Sequence, residues 1–591
     1  MAPSCAVPTL RRALGTLLST CTLLASHAAI ASPPVYQPKV TLGTVHVAHV
    51  AGDLPRYNHC GDIVRFKGRF LASWMGNPDK GEGKPGQAIY FSTSPDFVTW
   101  STPFAPFTAF SATQSPTNNI VPPAEALLEW QPAFVNLRDE VLFCAWSMFN
   151  AGRTFVSYST DGDNWTHLEV PSAPESLKGQ VVGFPVGHGI VTSKGVIMIP
   201  CSLPPVVSEK RKGLWIRNEY QAVLMSADDG KTWQWSEPIA GAKWTDAGDD
   251  PARFGNDDTI YHWEFSLFEA LDGSIGFVAR NTSRMPDPKA DYRTVLAGRS
   301  TDGGRTWSKA MPINLDSVSA RQFATKASLD SGLLVSTNDW LRSVPEPSWK
   351  TRYRLSLFCA PTEDPNLLLP GPLVQPASGV ACYPNGFVDD DTLYLAYTYG
   401  SGAHGYASIS TAKVHPLPDF SRPFLLPRQG REGLAVQDGI ARFELPESTL
   451  GLVLTRELTA QETVHLSFES KVIYNGHEFP ILTLGGKTSG GLLIRVIYDT
   501  KTQANVYQSK TTSQNTWTTI GAFTPGQWDR FQLSIGRDTV QLSVNGSSPL
   551  TIAESVLRKI AFGGLYAAPT WPRQVPTGQN ISLNLETIEI R

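Results

Sequence analysis

One short turn motif recurs along the chain and constrains its fold more than any other feature. Ser226–Trp233 reads SADDGKTW and Ser300–Trp307 reads STDGGRTW, while Ser159–Trp165 is a shortened copy and Ser92–Trp100 a degenerate one. The closing tryptophans lie 65, 68 and 74 residues apart. Repeats of this length indicate one supersecondary unit per copy.

The chemistry of the motif suits a hairpin turn. Its Asp can accept backbone N–H groups across the turn, its Gly takes a positive φ, and its Trp anchors the outgoing strand in the core. The flanking stretches 153–158 and 221–225 alternate in polarity as strands do. The repeats therefore predict an all-β fold of many short strands.

Composition narrows the class of protein further. The 591 residues are 41% hydrophobic and only 17% charged, with a formal net charge of −3. Charge this low and balanced argues against a nucleic-acid groove and against a polybasic membrane patch. We therefore expect neither a nucleic-acid nor a membrane partner.

The first 31 residues resemble a secretory signal peptide. Arg11 and Arg12 precede an apolar run over 13–24, and Ala29 and Ala31 supply the small residues of a cleavage site. A membrane anchor is the alternative, but the run is shorter than the ~20 apolar residues that span a bilayer. We expect a secreted, extracellular protein that begins near Ser32.

Removal of that segment would leave five cysteines, namely Cys60, Cys144, Cys201, Cys359 and Cys382. An odd number permits at most two bridges and one free thiol. Their spacing matches no zinc motif, so we expect no metal and no cofactor, although a structural Ca²⁺ stays open. Four glycosylation sequons begin at positions 164, 281, 545 and 580, and they matter only in a host that glycosylates secreted proteins.

The repeated turn is the Asp-box signature, and through it the chain resembles the sialidase-like (BNR) β-propellers. The resemblance implies a six- or seven-bladed propeller over residues 36–420 that carries the active site at its centre. It also implies a purely structural role for the Asp boxes, because they lie on the outer rim in that family. The Pro- and Arg-rich segment 421–433 is expected to be a linker.

Beyond the linker, residues 434–591 show further alternating stretches, at 464–473, 491–498, 531–535, 540–544 and 581–590. Asn545-Gly546 follows one of them as a hairpin turn. The segment resembles concanavalin-like or laminin-G-like domains, which implies a lectin-like β-sandwich (jelly roll). Glycan binding and mere packing against the first domain are equally compatible with that resemblance.

Several segments resemble sialidase landmarks in the same chain order. Trp263-Glu264 and the later Arg280 resemble the stretch with a catalytic Glu and a carboxylate-binding Arg. The segment 352–357 resembles the one with another such Arg, and strand alternation favours Arg354. The segment 382–385 implies a nucleophilic Tyr383. A Tyr of ordinary pKa near 10 needs a partner that adjusts it, and Arg holds a sugar carboxylate bidentately.

The chain departs from sialidases at the start, where a His-containing turn over Arg56–Ile63 replaces the first carboxylate-binding Arg. Asp79 falls near the place of the sialidase acid. His59 and His188 are expected to face the centre, where imidazole suits proton transfer. The two histidines, Tyr383 and the substrate-binding candidates Arg280, Arg321 and Arg354 suit uronate elimination, in which Arg neutralises the sugar carboxylate. The Tyr57-Asn58-His59 turn and the later Pro85-Gly86-Gln87 resemble, over short motifs only, the propeller rhamnose–glucuronate lyases and α-rhamnosidases.

Three functions follow from these residues. The first is a secreted exo-acting enzyme that cleaves a terminal glycosidic bond at an acidic sugar by uronate elimination. The second is a retaining glycoside hydrolase of sialidase type, with Tyr383 as nucleophile, Glu264 as its base and Asp79 as acid. The third is a non-catalytic propeller that binds glycans. In each case the partner is an oligo- or polysaccharide, and we expect a monomer.

Overall fold

The computed structural model of the chain describes most of residues 34–590. The described ranges are 34–48, 54–78, 81–114, 128–148, 151–204, 220–247, 258–283, 294–327, 332–338, 352–375, 379–400, 407–428, 434–437, 440–444, 449–453, 460–461, 463–473, 479–484, 492–511, 516–536, 539–553 and 580–590. The expected signal peptide and the candidate Asp79 lie outside them.

The regular elements of the described residues up to 428 are nearly all strands, as the repeats predict, with one short helix α1 (Thr108–Thr113). Three further turns are 3₁₀-helical, at Glu175–Leu177, Trp244–Ala247 and Pro365–Leu367. The strands in chain order are β1 (Lys39–His46), β2 (Tyr57–Phe66), β3 (Arg69–Asn77), β4 (Ala88–Ser94), β5 (Glu129–Leu137), β6 (Val141–Met148), β7 (Arg153–Ser159), β8 (Thr166–Val170), β9 (Phe184–Pro185), β10 (Ile190–Val191), β11 (Ile197–Leu203), β12 (Tyr220–Ser226), β13 (Gln234–Trp235), β14 (Ala242–Lys243), β15 (Thr259–Ile260), β16 (His262–Glu269), β17 (Ile275–Asn281), β18 (Thr294–Ser300), β19 (Met311–Asp316), β20 (Phe323–Lys326), β21 (Leu333–Asn338), β22 (Leu355–Ala360), β23 (Leu369–Gln375), β24 (Val380–Asp389), β25 (Thr392–Gly400), β26 (Ala407–His415) and β27 (Phe424–Arg428).

These strands form six successive antiparallel sheets in the described part of the chain, and β14 and β15 form a separate two-stranded ribbon. The sheets consist of β2–β4, β5–β8, β9–β13, β16–β19, β20–β23, and β24–β26 joined by β1. The first strands of neighbouring sheets contact one another, through β9, β10 and β11 in the third sheet, and β24 contacts β2. Each of the six sheets therefore contacts the next, and the sixth contacts the first.

The sixth sheet is completed by the N-terminal strand. β1 pairs antiparallel with β26, from Lys39 opposite His415 to Thr44 opposite Ser410. The first strand of this part of the chain therefore shares a sheet with β26, near its end. Such pairing covers the edge that β26 would otherwise present.

The hydrophobic core lies between neighbouring sheets rather than in one place. Phe66 and Phe91 of the first sheet pack with Phe134 and Trp146 of the second. Equivalent buried clusters lie between each following pair of sheets and between the sixth sheet and the first. Each sheet is thus buried on both faces, which explains the apolar runs in its strands.

The repeated motif forms the hairpin turn that its sequence predicts, between the third and fourth strands of a sheet. In the third sheet, the Asp228 carboxylate accepts the backbone N–H of Thr232 at 2.9 Å and the Ser226 hydroxyl at 2.8 Å. These bonds, led by that of the Thr232 backbone, lower the pKa of Asp228 to about 2. Trp233 is 8% exposed and its ring lies 5.9 Å from that of Phe143 in the second sheet.

The described residues beyond 428 form two larger sheets and a short ribbon. Their strands are β28 (Leu434–Gln437), β29 (Ile440–Glu444), β30 (Thr449–Val453), β31 (Thr463–Ile473), β32 (Phe479–Leu484), β33 (Leu492–Asp499), β34 (Ala504–Thr511), β35 (Thr518–Ala522), β36 (Trp528–Gly536), β37 (Thr539–Val544), β38 (Leu550–Ala553) and β39 (Asn580–Ile590). One sheet has the order β28-β29-β39-β31-β36-β37-β38, the other β32-β33-β34-β35, and β27 pairs with β30.

The two larger sheets touch through aromatic side chains. The Tyr507 ring on β34 lies 4.9 Å from that of Phe531 on β36, and its hydroxyl donates to Asp529 at 2.7 Å. Since β27 lies within 421–433, that segment contains a strand in addition to any linker.

Candidate functional site

Four of the six sheets carry the same irregularity on their first strand, near its start. The pairing register shifts between His59 and Asp62, Trp130 and Ala133, Trp263 and Phe265, and Cys382 and Asn385. Inside each bulge one non-glycine residue has a positive φ, namely Cys60, Gln131, Glu264 and Tyr383. Such conformations are uncommon, and bulges re-aim side chains next to functional sites. Two of the four are residues that the sequence singled out.

Tyr383 is the point where the candidate residues meet. It is 6% exposed, and its hydroxyl accepts a hydrogen bond from Arg280 Nη1 at 2.9 Å. The same Arg280 nitrogen donates to Glu264 Oε2 at 2.6 Å. Arg280 lies on β17 beside β16, which carries Glu264, and its guanidinium lies 4.8 Å above the Trp263 ring. The structure therefore joins three sequence-predicted residues in one buried cluster.

The surroundings of Tyr383 set the state of its hydroxyl. Burial raises its pKa well above the ordinary value, Arg280 and Arg352 lower it, and the Glu264 charge raises it again. The phenol therefore keeps its proton in the resting site. A reaction that uses Tyr383 as a nucleophile needs a base close by, and Glu264, which is 1% exposed, is the carboxylate joined to it through Arg280.

The segment before β22 contributes an arginine to the cluster. The structure places the Arg352 guanidinium 5.3 Å from the centre of the Tyr383 ring, and Arg352 Nη2 donates to the Ser319 carbonyl at 2.9 Å. Arg354, which strand alternation favours, is 4% exposed, and its carbonyl accepts from Asn338. Residue 352 precedes the first residue of β22, so alternation along the strand gives no guide to it.

Arg321 reaches the cluster from the segment before β20. It is 1% exposed, and its guanidinium lies 5.0 Å from the centre of the Tyr383 ring. Its Nη1 donates to the Val186 carbonyl at 2.7 Å and to Gln131 Oε1 at 3.4 Å. Arg321 thus contacts the same aromatic ring as Arg352, and its role in substrate binding stays a prediction.

His59 lies beside Tyr383, while His188 belongs to a second cluster. The His59 and Tyr383 rings are 4.3 Å apart, and His59 Nδ1 is 3.0 Å from the Thr398 hydroxyl. His188 Nδ1 lies 2.8 Å from Asp62 Oδ1. Asp62 is fully buried and also accepts the backbone N–H of Phe134. A catalytic role for either histidine stays a prediction.

Glu82 is the residue that sequence reasoning missed. Burial and the Glu264 charge raise its pKa to about 7, and Arg280 and Arg352 oppose the rise. Its loop is fixed by a bond from Gly83 N to Gln87 Oε1 and by another from Gln87 Nε2 to the Glu129 carbonyl. A carboxylic acid that titrates near neutrality can give and take a proton. Its closeness to Arg280 and Glu264 is not visible in the sequence.

The described residues contain no group of three or more His, Cys, Asp or Glu side chains that could hold a metal ion. All five cysteines of the expected mature chain are free and buried there. The described part of the chain also contains no helix long and apolar enough to cross a membrane. The sequon residue Asn281 is 5% exposed, which leaves little room for a glycan on it.

Comparisons with known proteins identify the family. The chain belongs to the BNR repeat-like domain family, whose model matches residues 68–410, more than half of its length. No curated protein matches the chain in sequence.

Solved structures with some similarity include the Trypanosoma rangeli sialidase in complex with the inhibitor DANA (13% identity, 95% of this chain and 96% of that chain, TM-score 0.47). A protein of unknown function from Dyadobacter fermentans DSM 18053 is 16% identical over 63% of this chain and 98% of that chain, with a TM-score of 0.44. The Hadza microbial sialidase Hz136 is 14% identical over 60% of this chain and 65% of that chain, also with a TM-score of 0.44. None of these similarities assigns an activity to this chain.

Proposed function

We propose that the protein is a retaining glycoside hydrolase of sialidase type that acts on a terminal acidic sugar. The observation that carries the proposal is the single Arg280 nitrogen that bonds both Glu264 and the Tyr383 hydroxyl. That arrangement brings together a phenol, a carboxylate and a permanent cation. It suits a nucleophile that must lose its proton and carry developing charge.

In the proposed reaction Tyr383 attacks the anomeric carbon and Glu264 takes its proton. The bond to the leaving oxygen breaks as Glu82 protonates that oxygen. Water then hydrolyses the glycosyl–Tyr383 bond, with the Glu82 carboxylate as base, and the configuration is retained. Arg280 and Arg352 supply the permanent positive charge that attracts the acidic group of the sugar.

Uronate elimination, the first expectation from the sequence, gains less support. Its resemblance rests on short motifs, and the comparisons favour the hydrolase alternative. The geometry also gives Tyr383 a carboxylate partner, which the hydrolase needs. The contact between His59 and Tyr383 is the one feature of this cluster that a uronate lyase would also use.

The test is a screen of the full chain on sialyl oligosaccharides, gum arabic and rhamnogalacturonan oligosaccharides, with products weighed by mass spectrometry. We expect a saturated sugar acid with retained anomeric configuration in the first NMR spectra. Tyr383→Phe should lower kcat by roughly 10³-fold, because the nucleophile is lost. Tyr158→Phe, at an exposed tyrosine of β7, is the matched control. A product lighter by one water would identify elimination and contradict the proposal.

We further propose that the six sheets are the blades of a six-bladed propeller, and that the two C-terminal sheets form a sandwich. The buried clusters between every pair of neighbouring sheets support the first, and the Tyr507–Phe531 contact supports the second. A secreted monomer remains part of the proposal, because the amino-terminal sequence resembles a signal peptide.

A further inference from the structure

Arg321 is a buried cation for which the described part of the chain supplies no carboxylate partner. Its side chain is 1% exposed, and the donors Nε and Nη2 find no hydrogen-bond acceptor among the described residues. Among the described residues, its hydrogen-bond acceptors are the Val186 carbonyl and the Gln131 side chain. Both accept from Nη1. Two hydrogen-bond donors of this permanently charged side chain therefore have no acceptor among the described residues.

A buried arginine with two unsatisfied donors costs free energy unless an acceptor binds to them. Arginine is almost never fully buried without a partner, and a buried polar group without its hydrogen bond costs about 1–3 kcal/mol. The face of the Tyr383 ring, 5.0 Å away, offsets part of the charge but accepts no directed bond from Nε and Nη2. An acceptor beyond the described residues would satisfy both donors.

The position is separate from the one used in the proposed reaction. Arg280 Nη1 is occupied by Glu264 and the Tyr383 hydroxyl, and its Nε donates to the Ser319 hydroxyl. Arg321 instead reaches across to Gln131 and Val186, on the second and third sheets. The two guanidinium groups thus approach Tyr383 from different sheets.

We propose that Arg321 forms a second anion-binding position, which takes a carboxylate through Nε and Nη2 in addition to the acidic group held by Arg280. Two parallel N–H donors match the two oxygens of a carboxylate. The inference deepens the proposed function and rests on it only for the first position. The carboxylate is either a second acidic group of the sugar or a free small anion.

The test measures the thermal midpoint of the full chain against sodium acetate, the smallest carboxylate probe. Acetamide, an uncharged molecule of the same shape, is the control ligand. A ligand that binds only the folded state raises the midpoint, and two independent positions add their contributions. We expect Arg321→Gln to lose about half of the acetate-dependent rise. Arg299→Gln, at an exposed arginine of β18 that pairs with Asp272, should keep all of it.

The outcomes separate this inference from the proposed function. An undiminished rise in Arg321→Gln overturns the inference. A loss in Arg321→Gln with no loss in Arg280→Gln supports it and removes the first position from the proposed function. Should Arg321→Gln not fold, Arg321→Lys replaces it, and undiminished acetate affinity in that variant also overturns the inference, because lysine lacks the paired donors.

Sodium glucuronate distinguishes the two sources of the carboxylate. If saturating glucuronate abolishes the remaining acetate effect at Arg321, the carboxylate belongs to the sugar. If the acetate effect persists beside bound glucuronate, the position takes a free small anion. Both results depend on Arg321 and support the second position.

Discussion

At the scale of single residues, the site is a set of ionisable groups whose neighbours decide their protonation. Burial raises the pKa of Tyr383, so the phenol stays protonated until Glu264 accepts its proton. Glu82 has a pKa of about 7 because burial and Glu264 outweigh the two arginines. One group therefore holds a proton to be removed and another holds a proton to be given, which is the pairing that acid–base catalysis requires.

We expect the activity to fall as the pH rises through about 7, because Glu82 loses the proton that the leaving oxygen needs. Glu82→Gln should lower kcat by roughly 10²–10⁴-fold on substrates with poor leaving groups. The measurement is kcat/KM against pH for the wild type and the variant.

Asp79→Asn is the matched control, since Asp79 lies in the same loop and is the acid that the sequence favours. The assignment of the acid to Glu82 is wrong if Asp79→Asn abolishes the fall of kcat/KM above pH 7 and Glu82→Gln preserves it.

A second carboxyl, Glu129 at the start of β5, titrates near neutrality for a structural reason. It is 1% exposed and accepts the Ile89 backbone N–H at 2.7 Å and the Ser111 hydroxyl at 2.6 Å. Burial nevertheless raises its pKa from 4.5 to about 7. Since the folded pKa exceeds the unfolded one, this group reduces the free energy of unfolding as the pH rises from about 4.5 to about 7.

Glu129→Gln should therefore flatten the pH dependence of stability and stabilise the protein above pH 7, by about 3 kcal/mol at most. The amide can still accept from Ile89 and donate to the Ser111 hydroxyl, so the fold is kept. Unfolding in guanidinium chloride at several pH values measures this change in the free energy of unfolding. Glu175→Gln, at an exposed glutamate, is the control. A variant whose stability follows the wild-type curve at every pH would contradict the expectation.

At the scale of elements, the Asp-box turns join neighbouring sheets as well as the two strands of one hairpin. Gly230 has φ +84°, and a Cβ placed there would lie 2.3 Å from the Phe143 ring of the second sheet. Gly303, in the next copy, has φ +76° with open space around it. The two glycines share the conformational demand, and only Gly230 faces a rigid neighbour.

Gly303→Ala should cost about 1 kcal/mol, for the left-handed conformation alone. Gly230→Ala should cost about 3 kcal/mol, because it adds the clash with Phe143. Chemical unfolding of the two variants measures the difference. Equal losses of unfolding free energy in the two variants would mean that the turn makes no tight contact with the second sheet.

Among the elements, the sequence predicts the turns but not the bulges. Local chemistry predicts the Asp-box turns, because Asp228 and Trp233 act within a few residues of each other. It does not predict the bulges at Gln131, Glu264 and Tyr383, since those depend on pairing with the next strand. Alternation also cannot decide between Arg352 and Arg354, because both residues precede β22.

At the scale of the whole molecule, the sixth sheet combines strands that lie more than 350 residues apart in the sequence. β1 lies against β26, and a Cβ at Gly43 would come 2.7 Å from the Thr411 hydroxyl. Thr411 is fully buried, so it has little room to move. The close approach of the two backbones at this point explains the glycine.

Gly43→Val should reduce the free energy of unfolding by about 2 kcal/mol, because the strand must move away from β26. Activity should be lost at the same denaturant concentration as structure, since Tyr383 lies on the same sheet. Leu42→Val, at a half-exposed neighbour, is the control and should change little. An unfolding midpoint equal to that of the wild type would show that β1 contributes little to closure.

The sequence by itself determined the all-β class and the position of the Asp-box turns. It also identified Glu264, Arg280 and Tyr383, which the structure brings together. These follow from local patterns of turn residues, alternation and short motifs. Only the tertiary structure decided that Arg352 lies over the Tyr383 ring, that Glu82 lies near Glu264 and Arg280, and that two donors of the buried Arg321 have no acceptor among the described residues. Those facts depend on distances between separate sheets, which spacing along a chain does not encode.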